Sequence, residues 1–319
     1  MSRLLLRLIV AGGLTAYILW RSDPRAVAAA AAGADWRPIA VAVLLVLVDR
    51  ALMAYRWIVL LCTVDRARRP ALRALMRIFF VSTFVGTFLP ASVGGDAVRA
   101  YSLARQNVGG GDAVASVFMD RILGVASLLV MALVGLVLAR GGAATKAILW
   151  ALVAAGALCV ATMLLIFSRW TARLAARYIE IVPSAKIKDL GHRVLESIQK
   201  YSAYPRELIV VLLASVGVQI LRIVQAYYLG LGLGIAAPLA VYLVYIPLIL
   251  LVMLLPVTFN GIGTSQAAFV WSFAQAGVDA APAFALSVLF VALGIVGNLP
   301  GGFLYAVGQR EPDADRVRS

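Results

Sequence analysis

Six ionisable side chains lie in stretches where charge is expensive: Asp49, Arg50 and Arg56 in one apolar run, Asp120 and Arg121 in a second, Arg222 in a third. A charged residue at mid-bilayer costs ~2.5–3.5 kcal/mol on insertion scales, so it usually has a partner or a task. Guanidinium groups suit phosphate because their planar fork donates two parallel hydrogen bonds. Arg99, Arg121 and Arg222 are therefore candidate phosphate ligands. Asp96, Asp120, Asn260 and Gln266 are further candidate substrate-binding residues. Asp49-Arg50 and Asp120-Arg121 are adjacent acid–base pairs. Helix neighbours do not face each other, so each pair is expected to bond across helices. Ion pairs that merely hold a bundle together are the competing reading.

These residues flank two interruptions of one form. The run from Phe79 to Tyr101 breaks at Leu89-Pro90, crosses Gly94 and Gly95, and restarts at Asp96. The second break is Leu255-Pro256, followed by Asn260, Gly261 and Gly263. Leu89, Pro90, Ser92 and Gly95 superpose on Leu255, Pro256, Thr258 and Gly261 at one offset of 166 residues. Proline removes a donor and glycine loosens the chain, so neither helix is expected to continue through its break. Broken helices at matching positions of two halves point to a transporter-type site. Restarting helices also leave unpaired N–H groups, at Asp96–Arg99 and Gly263–Gln266, that favour anions.

The elements that must carry this site are membrane spans. The 319 residues are 63% hydrophobic and 14% charged, far from soluble composition. Runs near the ~20 residues a crossing needs fall at 3–20, 39–62, 116–139, 145–168, 207–230 and 283–309. The first is expected to be an uncleaved span. Residues 71–107 and 238–277 hold the two breaks, with second limbs too short to cross. The expected fold is all-α and integral to the membrane: six full transmembrane helices plus two re-entrant hairpins in an inverted repeat. One half covers about 1–168, an interfacial linker 169–206, and the other half 207–309, with a disordered tail at 310–319.

Charge sets the orientation. Twenty Lys and Arg fall on the side shared by both termini and five on the other, a bias that places both termini in the cytoplasm. It also makes the two hairpins enter from opposite faces. Orientation and anionic lipid account for the formal charge of +14 without any nucleic-acid partner. In 169–206, Ile187, Leu190, Val194, Ile198 and Tyr201 recur at helical spacing, so one cytoplasmic amphipathic helix is expected. Gly94-Gly95-Asp96 recurs as Gly110-Gly111-Asp112, and Asp112 is expected to N-cap its helix.

Several chemistries find no support. The single histidine, His192, is off the spans and supplies no triad, and no Cys/His cluster has metal spacing. There is no P-loop, so no ATP site is encoded. No metal or cofactor is expected, and Cys62 and Cys159 fall in separate spans.

Three motifs carry a family resemblance. Phe88-Leu89-Pro90 with Gly95-Asp96 and Arg99-Ala100-Tyr101, then Asp120-Arg121-Ile122-Leu123-Gly124, then Leu255-Pro256 with Asn260 through Ala268, occur in that order. They resemble the flippase-like membrane domain of lysylphosphatidylglycerol synthases. The family usually has glutamate where Gln266 stands, and commonly where Asp120 stands, which weakens any ion-coupling role for the second hairpin. The soluble aminoacyl-transfer domain of the bifunctional members is not in these residues, so a stand-alone member is expected. The resemblance implies lipid translocation across a bacterial inner membrane. The substrate would be a phospholipid or a polyprenyl-linked lipid. A membrane-embedded lipid phosphatase or glycosyltransferase, and a non-catalytic partner presenting lipid to a separate enzyme, are the alternatives.

Overall fold

The computed structural model describes residues 15–64, 70–89, 94–106, 108–138, 168–181, 183–254, 262–308 and scattered positions between 153 and 164. Among them there are helices and no strands. In chain order these are α1 (Pro24–Ala32), α2 (Trp36–Val64), α3 (Leu72–Phe88), α4 (Gly94–Ala104), α5 (Gly110–Leu138), α6 (Arg169–Glu180), α7 (Ala185–Lys200), α8 (Pro205–Gly232), α9 (Leu239–Met253), α10 (Thr264–Ala274) and α11 (Ala280–Gly308). Residues 15–21 are helical as well.

Among the described residues, helices α2, α5, α8 and α11 contain four stretches long and apolar enough to cross a bilayer. At 1.5 Å per residue, 28 residues reach roughly 42 Å, ample for a ~30 Å hydrocarbon core. They coincide with four of the six expected spans. The runs at 3–20 and 145–168 lie mostly outside the described residues, as do Pro90, Pro256, Asn260 and Gly261.

Each broken region folds as two helices. Helix α4 lies against α3 because glycines face each other there: a Cβ on Gly86 would come within 2.8 Å of the Gly95 Cα, and one on Gly95 within 2.9 Å of the Ser82 carbonyl. A larger side chain forces these backbones apart. Gly86→Leu is therefore expected to lower stability by ~1–3 kcal/mol, read as an earlier thermal unfolding midpoint in detergent. A wild-type midpoint would show that the contact is dispensable. In the second region α10 follows Gly263, whose φ of 91° is costly for any side chain but hydrogen. Helices α4 and α10, 11 residues each, reach only ~17 Å, too short to cross the core.

Apolar packing supports these elements from three sides. Tyr242, Phe269 and Phe273 join the second broken region to α8 and α11. Trp57, Leu75, Phe79 and Leu103 clasp α2, α3 and α4. Leu60, Met119, Ile198, Tyr201 and Val211 seal one end of the bundle. The space left between α2, α3, α4, α5, α8, α9 and α11 is lined by charged and amide side chains among apolar ones.

The segment 169–206 departs from expectation in folding as two amphipathic helices rather than one. Pro183 disfavours helical geometry in the residue before it, and Ser184 stands at the N-cap of α7. Of the expected apolar face, Ile198 and Tyr201 are buried, while Ile187 and Leu190 are exposed. Asp112 does not N-cap α5: it lies in the first turn, accepts from Ser197 Oγ at 2.7 Å and pairs with Lys200 Nζ at 3.6 Å. It thus ties α7 to the start of α5.

Helices α6 and α7 are held together through Glu180, which pairs with Lys188 at 2.9 Å and His192 at 2.8 Å. The Lys188 hydrogen bond, then that of His192, holds the Glu180 carboxyl below its ordinary 4.5. A depressed carboxylate pKa contributes stability above the unfolded value and loses it as pH falls through the folded one. Acidification from 4.5 downward is thus expected to loosen α6 from α7. Faster amide exchange in α6, corrected for intrinsic rate, checks this; the pH dependence should vanish in Glu180→Gln.

Candidate functional site

The space between these helices holds two adjoining chambers of about 340 and about 270 Å³, near the lower end of the size of small-molecule pockets. Arg50, Thr87, Arg222 and Asn298 line both. The larger also takes Arg56, Asp96, Arg99, Asp120, Arg121 and Gln219. The smaller takes Asp49, Gln225 and Phe290. Five of the expected ligands therefore meet in one cavity: Arg99, Arg121, Arg222, Asp96 and Asp120. Gly95 lines it too, but Gln266 does not.

Ion pairs across helices organise this space. Asp120 of α5 lies 2.8 Å from Arg56 of α2 and 3.5 Å from Arg99 of α4. The Arg56 Nε–H is not aimed at that oxygen, while its Nη1 donates to Ser215 Oγ at 3.0 Å. Arg121 of α5 donates from Nε to Asp96 of α4. Asp49 corrects the expectation in part: it pairs with its neighbour Arg50 at 3.1 Å as well as with Arg222 of α8 at 3.5 Å. Arginine is long enough to fold back along its own helix, and the 1% exposure of Asp49 favours gathering every cation within reach.

The arginines differ in freedom. Arg99 is enclosed: its guanidinium lies 4.6 Å from the Phe79 ring and 5.3 Å from that of Trp57. It donates to Ser82 Oγ at 3.3 Å and Thr83 Oγ1 at 3.4 Å. Both hydroxyls give their own hydrogens to the Phe79 carbonyl, leaving lone pairs toward Arg99. Side-chain exposure is 7% for Arg99, against 36% for Arg121 and 23% for Arg222. The latter two are the ones a ligand reaches.

Polar atoms also await partners. Arg50 Nε, Gln219 Oε1, Gln225 Nε2 and Asn298 Oδ1 are buried with no hydrogen-bond partner among the described residues. Leaving such atoms bare costs ~1–3 kcal/mol each, so water or ligand belongs there. Gln266, by contrast, is satisfied: its Oε1 accepts the Gly263 N–H and the Ser265 hydroxyl. It caps α10, consuming an amide that was expected to face an anion.

Sequence reading named Arg50 and Arg56 only as intramembrane charges and passed over Asn298 and Gln225. Their one signal was polarity inside apolar helices. Which of them share a cavity depends on helix packing, which no spacing encodes.

Among the described residues, long apolar helices around a cavity lined by arginines and aspartates define an all-α integral membrane protein. Residues 4–301 match the lysylphosphatidylglycerol synthase TM region, and the chain belongs to that family. No curated protein and no solved structure matches it.

Proposed function

We propose that the protein translocates a lipid across the bilayer, holding its phosphate-bearing headgroup in the two chambers while the acyl or prenyl chains stay in the membrane. One observation carries this reading: among the described lining residues, five guanidinium groups face three carboxylates. An excess of two positive charges at membrane depth calls for an anion. A phosphate matches the guanidinium fork, and Gln219 Oε1, Gln225 Nε2 and Asn298 Oδ1 offer hydrogen-bonding atoms for the rest of a headgroup.

In this reading α3–α4 and α9–α10 are re-entrant hairpins of an inverted repeat, and the cavity between them opens alternately to each leaflet. The bias in positive charge supports cytoplasmic termini, with the cytoplasmic membrane of a bacterium as the site of action in this reading. Lipid is the partner. The enzyme reading needs a general base, and both candidate carboxylates, Asp96 and Asp120, are engaged by arginines. That favours transport without catalysis.

Reconstituted protein should move a fluorescent anionic phospholipid between leaflets, and mass spectrometry of gently purified protein should find one enriched phosphate-bearing lipid. Metal-independent turnover of a polyprenyl phosphate would replace transport by catalysis. Absence of movement, with a lipid-modifying enzyme co-purifying, would make the chain a presenting partner.

A further inference from the structure

We propose that the outer face of α6 docks on an anionic lipid leaflet. Helix α6 has two opposite faces. Ala172, Ala175, Ala176 and Ile179 form the inner one, which is buried or half-buried; Ile179 meets α7 where a Cβ on Gly191 would come within 3.1 Å of it. Trp170, Leu174, Tyr178 and the C-cap residue Ile181 recur at steps of four, four and three and form the outer one, which is exposed, with Trp170 at 67% and Ile181 at 74%. Exposed aromatic and aliphatic side chains at this spacing mark a helix lying in an interface.

Position and charge name the occupant. Helix α7 is fixed at one end of the bundle, where Asp112 and Gly111 begin α5 and where Tyr201 donates to the Leu60 carbonyl near the end of α2. The α6–α7 pair therefore lies where spanning helices leave the membrane, at headgroup depth. Arg173 and Arg177 are exposed along one edge of the apolar face, placed to meet phosphates while the rings and aliphatic chains sink deeper. Residues 169–200 carry seven Lys and Arg against three Asp and Glu. A neutral protein surface would not call for that excess; an anionic leaflet does. The surface is separate from the cavity, so its test does not depend on translocation.

Amide exchange of α6 is measured for the full chain in nanodiscs of phosphatidylcholine alone and of phosphatidylcholine with phosphatidylserine. Each basic residue near an anionic surface contributes ~1 kcal/mol, so protection should rise roughly tenfold or more in the anionic discs. Arg173→Gln with Arg177→Gln should abolish that difference and keep the protection seen in neutral discs. Leu174→Glu with Ile181→Glu should lose protection in both, while exchange in α2 and α5 stays unchanged and reports an intact bundle. Equal wild-type exchange in the two kinds of disc overturns the proposal. So does protection that tracks the number of protein copies per disc rather than lipid charge, which would make the face a contact between copies.

Discussion

Asp120→Asn is expected to destabilise the protein by ~3–5 kcal/mol, the cost of removing one member of a buried ion network. Asp120 is the shared counter-charge of Arg56 and Arg99, and all three side chains are nearly inaccessible. Without the carboxylate, Arg56 keeps only Ser215 among its described hydrogen-bond partners, and Arg99 keeps two hydroxyls and two rings. Asp96 still attracts Arg99, but the carboxylate that the two cations share is gone, and charge at low dielectric is left under-compensated. Unfolding in graded denaturing detergent reads the loss as an earlier midpoint. Adding Arg56→Gln to Asp120→Asn should cost less than the two single losses combined, because each single variant leaves a charge stranded. A wild-type midpoint for Asp120→Asn would remove the network from any role in holding α2, α4 and α5 together.

That network shows what sequence could and could not reveal. Hydropathy located α2, α5, α8 and α11, because a crossing helix must be apolar along its whole length. Proline and glycine located the breaks, because they act on the backbone where they stand. The adjacency of Asp120 and Arg121 was legible as a bonding problem. A helix turns them apart, and the structure sends one to α2 and α4 and the other to Asp96 of α4. Asp49 broke the same rule because arginine length outweighs backbone direction. The division of labour among arginines was not legible at all. Arg99 and Arg121 read alike in sequence, yet Trp57 and Phe79 enclose the first, while the second is 36% exposed. Gln266 misled because a side chain after a helix break can face a cavity or turn back on its own N–H groups, and only packing decides.

Arg121→Gln together with Arg222→Gln should abolish most lipid movement while leaving the protein folded. The two partners contribute differently to stability and to binding. Arg121 pairs with Asp96 at a half-open position, where an ion pair is worth ~0–1 kcal/mol. Asp49 retains Arg50 when Arg222 is lost. Stability therefore falls little. Binding falls more, because a charged hydrogen bond to phosphate is worth ~1.5–3 kcal/mol, a factor of roughly 10 to 100 for each arginine. A loss of about a hundredfold or more in the retention of phosphate-bearing lipid, with translocation falling in parallel, is the expected result. The comparison with Arg99→Gln separates the two roles: that variant should lower the unfolding midpoint, since Arg99 is spent on Asp120, Ser82 and Thr83. If the double variant moves lipid at the wild-type rate, the exposed guanidinium groups are not phosphate ligands, and the cationic excess serves only to balance charge within the bundle. If both variants unfold early, the division between holding and binding arginines is wrong.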